Sequence, residues 1–318
     1  MTEDSIGRIS ISFPNKSEWF TGRLVKPTGS SQQFSLCGLD TRTERFDFVS
    51  NKQMNWDRLN EVNNNHQNIS ESDYKVLVQK AISACKGSIE KVVLSRSFDI
   101  EVDTIDIENW LDRLRTEFPN ALVYCLQTKF HGCWIGATPE VLVKKTGDNL
   151  ETMSLAGTKW GDEPFSEKEY IEQGVVTESI LSDLDLSTKV AGSPKIVEFG
   201  NIRHLQTNIA WKSNDSLAEV SEMLHPTPAI CGFPKADAKQ FILSNEGYNR
   251  ELYTGYLQFE GFSEIDYSFV NLRCMQLFRD RVRIYVGGGI NALSDPETEW
   301  IETEKKLGAI TKALKIEY

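Results

Sequence analysis

Two acidic patterns lying far apart in the chain offer the first chemistry. Glu169-Tyr170-Ile171-Glu172 and Glu299-Trp300-Ile301-Glu302 both read ExxE. A spacing of three puts both carboxylates of each pair on one face of a helix. Two such faces brought together make an oxygen-rich nest for a hard cation such as Mg²⁺, which keeps some of its waters and binds an anionic ligand too. Each pattern alone is also what an ordinary solvated helix carries. Gly287-Gly288-Gly289 follows an apolar run ending at Val286. Glycines there either let backbone N–H groups approach an anion or form a tight turn. No dinucleotide fingerprint is present, since GxGxxG is absent. Leu155-Ala156-Gly157-Thr158 follows a turn at Gly147-Asp148. Leu224-His225-Pro226-Thr227-Pro228-Ala229 is a stiff loop with few backbone donors, suited to a shaped wall or a rigid connection.

Other chemistries find little support. The cysteines at 37, 85, 125, 133, 231 and 274 form no CxxC pair, and the histidines at 66, 131, 204 and 225 form no HExxH. Zinc or a dithiol centre is not expected, and reduced thiols of a cytoplasmic protein are.

The elements that must position these residues follow from hydrophobic spacing and breakers. Ile9–Phe13 alternates, and the polar run at 63–68 reads as a loop. Ser72 caps a helix over Asp73–Lys86, with Gly87 as its stop. Strands are expected at 91–98, 121–127, 132–137 and 141–145, with a helix over Ile107–Phe118 ending at Pro119. A long helix covers Ser166–Leu184, extended segments cover 197–200 and 204–211, and helices cover 216–224 and 235–244. Strands at 254–259, 268–277 and 282–286 precede a last helix that opens at Asp295-Pro296 and runs to about Leu314. Irregular interleaving with hairpin-like strand pairs predicts an α+β fold with largely antiparallel sheets in one domain, residues 1–318.

The chain has 318 residues, with 35 Lys plus Arg against 46 Asp plus Glu, a net charge of −11, and a hydrophobic share of 40%. These are values of a soluble globular protein. The acidic balance argues against nucleic acid or an anionic membrane as main partner, because each phosphate contact needs a Lys or Arg. No run of about 18 apolar residues and no secretory signal pattern occurs, so a cytoplasmic protein is expected.

Taken in order, the segments KVVLSR (91–96), GATPE (136–140), LAGT (155–158), KEYIEQ (168–173), RHL (203–205), LHPTPAICGFP (224–234), EGYNRELYTG (246–255), LRC (272–274), YVGGGI (285–290) and SDPETEWIET (294–303) resemble the chorismate-binding enzymes. That family contains isochorismate synthase, salicylate synthase, anthranilate synthase component I and aminodeoxychorismate synthase. The resemblance implies an anthranilate synthase component I-like fold, with two largely antiparallel sheets packed together and helices outside. Residues 1–68 would be a shortened N-terminal part and 69–318 the catalytic core. It implies chorismate as substrate and Mg²⁺ as cofactor. Glu172 and Glu302 match the metal ligands, and Glu169 and Glu299 match outer positions acting through water. Arg273 and Tyr285 match the groups that bind the enolpyruvyl carboxylate. Gly157, Thr158, Gly287 and Gly289 match backbone contacts to the substrate. His204 matches a histidine near the ring, and Lys306 a lysine near the ring carboxylate.

The same resemblance separates the members. Those that add water at C2 carry a Lys in the KVVLSR-type strand, here Lys91, as general base. Those that add ammonia usually carry Gln. A lysine base needs its pKa lowered by burial or a nearby cation. Glu140 of GATPE matches the general acid that protonates the departing C4 hydroxyl, which requires a raised pKa. Ala156 replaces the covalent lysine of aminodeoxychorismate synthases. Ala229 stands where salicylate synthases carry Thr, which favours stopping at isochorismate. The short N-terminal part implies neither tryptophan feedback nor a glutaminase subunit, and a monomer is the default. Isochorismate synthase is thus the expected activity, an isomerase reaction whose product feeds menaquinone, siderophores and salicylate-derived compounds. The rivals are a salicylate synthase, an amine-adding synthase and a non-catalytic chorismate-binding subunit. The chain departs from the usual pattern at Lys159-Trp160, Gly247-Tyr248, Gly288 and Ile230.

Overall fold

Every strand pairing in the computed structural model is antiparallel, and the strands form one continuous hydrogen-bonded ladder. The structure describes residues 5–51, 56, 68–186, 190–199 and 202–317. In chain order the elements are β1 (Ser5–Ser12), β2 (Phe20–Val25), β3 (Gln33–Cys37), β4 (Glu44–Ser50), α1 (Glu71–Ala84), β5 (Lys91–Glu101), α2 (Ile107–Glu117), β6 (Leu122–Thr128), β7 (Gly132–Thr138), β8 (Val141–Thr146) and β9 (Asn149–Trp160). Next come α3 (Glu167–Asp183), β10 (Lys195–Phe199), β11 (Ile202–Lys212), α4 (Leu217–Leu224), β12 (Gly232–Phe233), α5 (Lys235–Asn245), β13 (Tyr256–Glu260), β14 (Asp266–Val270), β15 (Cys274–Leu277), β16 (Arg281–Ile290) and α6 (Pro296–Leu314).

The ladder runs β10-β11-β9-β8-β14-β13-β3-β4-β2-β1-β6-β7-β15-β16-β5-β12. The α+β class and antiparallel sheets match expectation. The two expected layers are joined, because β1 to β4 link them in the middle of the ladder. The folded ladder encloses one core in which Leu24, Leu126 and Trp134 of one half share a cluster with Leu257, Phe259 and Phe269 of the other. Phe13 meets Phe259 edge-on at 5.6 Å between ring centroids. Helices cover the outer faces. Trp110, Leu114, Leu307 and Ile310 of α2 and α6 pack on β6, β7 and β16. Val176, Ile180, Leu217 and Val220 of α3 and α4 pack on β8, β9 and β11. Such burial of apolar faces is the main force holding helix to sheet.

Several boundaries differ from the sequence expectation for identifiable reasons. Helix α1 starts two residues early, since Ser70 and not Ser72 accepts from the Asp73 backbone N–H, at 3.1 Å. Ser70 has an acid three residues on, whereas Ser72 has Lys75. The single strand expected at 268–277 is two, β14 and β15, broken at 271–273. The polar run at 63–68 lies, apart from Asn68, outside the described residues.

At the break over 271–273 the chain crosses from one half of the ladder to the other, since β14 pairs with β8 and β13 whereas β15 pairs with β7 and β16. The link between β7 and β8 at Pro139-Glu140 makes the same crossing, and the two are tied by hydrogen bonds from Val270 N to Glu140 O and from Ala137 N to Arg273 O. Asn271 anchors the corner by accepting from Tyr124 Oη at 2.6 Å and donating to Leu252 O at 2.8 Å.

Candidate active site

One cavity of about 270 Å³ is lined by every residue to which the family resemblance gave a role. Its walls come from strands near both ends of the ladder, β9 and β11 from one end and β5 and β16 from the other, closed by α3 and α6. Sequence neighbours contribute little to this grouping; folding the ladder does it.

Strand β5 delivers Lys91. It is buried, and its Nζ donates to Glu172 Oε1 at 2.6 Å. The burial expected of a lysine base is therefore present, and its closest charged partner is a carboxylate. Glu140 stands at the ladder crossing and is 5% exposed. Desolvation pushes its carboxyl up to about 7, against the opposing pull of Lys91 and Arg273. Arg273 occupies the other crossing in the left-handed region, at φ +48°. Burial lowers its guanidinium to about 10, an effect the Glu140 carboxylate opposes, and the group stays charged at neutral pH.

The LAGT segment lies inside β9. Burial alternates at Leu150, Thr152 and Ser154 on the way in, and Leu155, Ala156 and Gly157 are all buried. Ala156 pairs with Leu205 and Thr158 with His204, so Gly157 is the extra residue of a β-bulge, with φ +68°. The bulge turns Thr158 and His204 into the cavity, with Thr158 Oγ1 3.3 Å from His204 Nδ1. Burial, then Arg273 and Lys306, lower His204 to about 3, so the imidazole is neutral at physiological pH.

Gly287-Gly288-Gly289 is not a turn. It continues β16, paired with Ser95, Leu94 and Val93 of β5. The strand brings carboxylates to its surface: a Cβ at Gly288 would lie 3.4 Å from Glu299 Oε2 and 3.6 Å from Glu302 Oε1, and one at Gly289 3.1 Å from Glu172 Oε1. Glycine leaves that space open. Helix α6 supplies Glu299, Glu302 and Lys306, the last donating to Glu302 Oε1 and to Gly287 O at 2.7 Å each. Carboxylates of both ExxE pairs thus line one cavity beside a bare glycine strand. Among the described residues, no group of three or more acidic, histidine or cysteine side chains is already drawn together at metal-holding geometry. Glu172 and Glu302 are instead each held by a lysine. Their hard oxygen donors, on the wall of one cavity, fit a cation of the Mg²⁺ type.

Glu169 lines the cavity from the first turn of α3. Its Oε2 accepts from Ser166 N and Oγ at 2.7 Å each, and its Oε1 pairs with Lys159 at 3.2 Å. Burial would raise its carboxyl, but Ser166 and Lys159 outweigh that and hold it below the usual range. Tyr285 is buried between Trp134 and Tyr253, with ring centroids at 5.2 and 5.4 Å, and burial pushes its hydroxyl pKa up. Ala229 lines the cavity from the Pro-rich loop.

A sequence model described as "Chorismate binding enzyme" matches residues 6–315. The chain belongs to the chorismate-binding enzyme family. A curated relative, isochorismate synthase EntC of Escherichia coli K12, is 32% identical over 257 residues, spanning 74% of this chain and 65% of that protein, just under two thirds of its length. The fold matches MenF, the menaquinone-specific isochorismate synthase of Escherichia coli, with a TM-score of 0.80 at 20% identity over 98% of this chain and 90% of that one. It also matches anthranilate synthase component I of Streptococcus pneumoniae, with a TM-score of 0.67 at 18% identity over 98% and 82%. The expected fold is therefore the observed one, and no described helix is long and apolar enough to cross a membrane.

This chorismate-binding enzyme also uses residues to which no sequence pattern assigned a role. Glu246 and Arg250 form a buried ion pair at 2.5 Å. Glu246 accepts from Ser95 N, and Arg250 donates to Val93 O and Ile230 O, so the pair clamps β5 to the Pro-rich loop. Their i, i+4 spacing was the available signal, but it is common on exposed helices. Lys312 and Phe118 line the cavity without any sequence cue, and so does Trp160 of the departing Lys159-Trp160 pair. Tyr248, one of the departures, reaches Ser95 Oγ at 2.5 Å and stacks on Tyr285.

Proposed function

We propose that this protein converts chorismate to isochorismate by adding water at C2 and expelling the C4 hydroxyl. The observation that carries the reading is the shared burial of a lysine and a proton-holding carboxyl, Lys91 and Glu140, in one cavity lined by two acidic helix faces. Hydroxide leaves poorly, so an acid must protonate it. With a pKa of about 7, Glu140 holds its proton for a substantial part of the time at neutral pH. A bound dianionic substrate raises that fraction. Lys91 serves as the base that takes up the proton of the attacking water. Glu172 and Glu302 would hold Mg²⁺, whose charge would neutralise the substrate's ring carboxylate. Arg273 offers a planar fork for the second carboxylate. The neutral imidazole of His204 and the hydroxyl of Thr158 are hydrogen-bonding groups and add no charge beside the ring.

The test incubates the purified full chain with chorismate and Mg²⁺ in H₂¹⁸O and separates the products. Isochorismate carrying one heavy oxygen supports the reading. Salicylate and pyruvate without an added lyase select the salicylate synthase. Product only with ammonium selects an amine-adding enzyme, and tight binding without turnover a non-catalytic subunit. Ala229 beside the cavity and the lysine at position 91 favour the first outcome.

A further inference from the structure

We propose that Arg96 is a positioning residue for the cation: from strand β5 it grips the first half of α6 and fixes the angle at which Glu299 and Glu302 face the cavity. The inference rests on the cation-holding role proposed above for Glu302, and on nothing about which product forms.

Arg96 is an arginine sealed inside the protein, 1% exposed, and its contacts converge on one stretch of α6. Its Nε donates to Thr303 Oγ1 at 2.9 Å, and its Nη2 pairs with Glu304. The plane of the guanidinium lies over the Trp300 ring, with Cζ 4.1 Å from the centroid. Thr303 is fully buried and donates in turn to Trp300 O at 2.7 Å, which ties two of the three contacts together. Trp300, Thr303 and Glu304 share one flank of the helix, next to the flank that carries Glu299, Glu302 and Lys306. Turning α6 about its axis would therefore break the first set of contacts and swing the second away from the cavity. The apolar anchors of α6 in the core below it, Leu307, Ile310 and Leu314, all belong to its second half. The half that bears the carboxylates is held by Arg96 and by the Tyr74 ring of α1, 5.8 Å from Trp300. Strand β5 pairs with β16 over ten residues with no shift of register, so Lys91 and Arg96, five apart, point to opposite faces. One strand thus presents the proposed base to the cavity and fixes the helix that carries the carboxylates.

Charge and position predict opposite signs. A guanidinium near a cation site repels the cation, so by charge alone its removal tightens binding. A guanidinium that holds the carboxylates in place loosens binding when it is removed. The experiment compares wild type with Arg96→Met, Arg96→Lys, Trp300→Phe and Trp300→Leu in the full chain. Three readouts are taken: Mg²⁺ affinity by calorimetry, amide hydrogen exchange over 299–306 in the metal-free protein, and the Mg²⁺ concentration that half-saturates chorismate turnover. Arg96→Met should weaken Mg²⁺ binding by about tenfold or more, raise the half-saturating concentration in proportion, and speed exchange in that stretch. Arg96→Lys keeps the charge but loses the planar fork and the stack, and should weaken Mg²⁺ binding almost as much. Trp300→Phe keeps a ring under the guanidinium and should stay within about threefold of wild type in affinity, whereas Trp300→Leu should follow Arg96→Met. The proposal is overturned if Arg96→Met binds Mg²⁺ as tightly as wild type or more tightly. A lowered Tm with unaltered affinity overturns it too, since that is the behaviour of an arginine with a structural role only. Should Arg96→Met not fold, Trp300→Leu, at a half-buried position, decides by the same criteria. Wild-type Mg²⁺ binding and isochorismate formation beside a variant that matches them strike the positioning role alone. A wild type that binds no Mg²⁺ strikes the proposed metal role, and the positioning role with it.

Discussion

Replacing Glu140 by glutamine should make the protein more stable and less active, and the stability gain should depend on pH in a calculable way. The native carboxyl is raised from 4.5 to about 7 by desolvation, with Lys91 and Arg273 pulling the other way. An unfolded chain releases this proton near 4.5, so between the two values the native state holds the proton and the unfolded state does not. Stability attributable to Glu140 is therefore highest at low pH and falls as pH rises through that window. The full penalty above the native pKa is about 3 kcal/mol, and Glu140 is buried enough for that figure to stand without a discount for solvent screening. Glutamine cannot ionise and escapes it. Relative to wild type, Glu140→Gln should gain about 1 kcal/mol at pH 5 and about 3 kcal/mol at pH 8. In a chain of this length the larger figure is worth about 5 °C in Tm. Scanning calorimetry on both proteins from pH 5 to pH 8.5 reads the difference directly. Turnover of the variant should fall by about 10²- to 10⁴-fold, the usual contribution of a positioned acid. Wild-type kcat/KM should decline above a pKa of about 7. Parallel Tm curves across the pH range would show that Glu140 does not titrate as described, and an unimpaired variant would remove it from the chemistry.

The geometry sets four further outcomes. Lys91→Met should cut turnover by about 10²- to 10⁴-fold while chorismate binding, measured by calorimetry, persists. Gly289→Ala should cost little stability, because the new methyl meets only the ends of two side chains, Lys91 Cε at 2.7 Å and Glu172 Oε1 at 3.1 Å, yet it should impair turnover by displacing the Lys91–Glu172 pair. A Gly289→Ala enzyme of wild-type rate would argue against that pair. Arg250→Met leaves the buried Glu246 carboxylate without its partner and should destabilise the fold by about 3–5 kcal/mol, read as a drop in the denaturation midpoint. Removal of divalent metal by a chelator should abolish turnover, and Mg²⁺ should restore it; activity that survives exhaustive chelation would take Glu172 and Glu302 out of a metal role.

Much of this site was legible before folding because its residue types are demanding. A lysine within an apolar strand at 91, a glutamate after Pro139, and two ExxE helix faces each announce chemistry, and the order of the surrounding segments names the family. All of them reach one cavity. What spacing failed to show were the features that depend on partners distant in sequence. Gly287-Gly288-Gly289 reads as a turn because glycine weakens a strand, but ten consecutive pairings with β5 hold it extended. The strand expected across 268–277 is apolar over most of its length, yet its halves pair with strands in opposite parts of the ladder.

Local sequence determined where the helices start and stop, which faces are apolar, and which side chains can exchange protons or bind a cation, because caps, periodicity and functional groups are properties of neighbours within a turn or two. Tertiary structure alone decided that β1 to β4 join two layers into one ladder, that Glu140 and Arg273 stand at its two crossings, and that burial lifts one carboxyl to about 7. Hydrogen-bond partners across a sheet and the loss of water around a charge are set by what the rest of the chain brings alongside, and no window of the sequence contains that information.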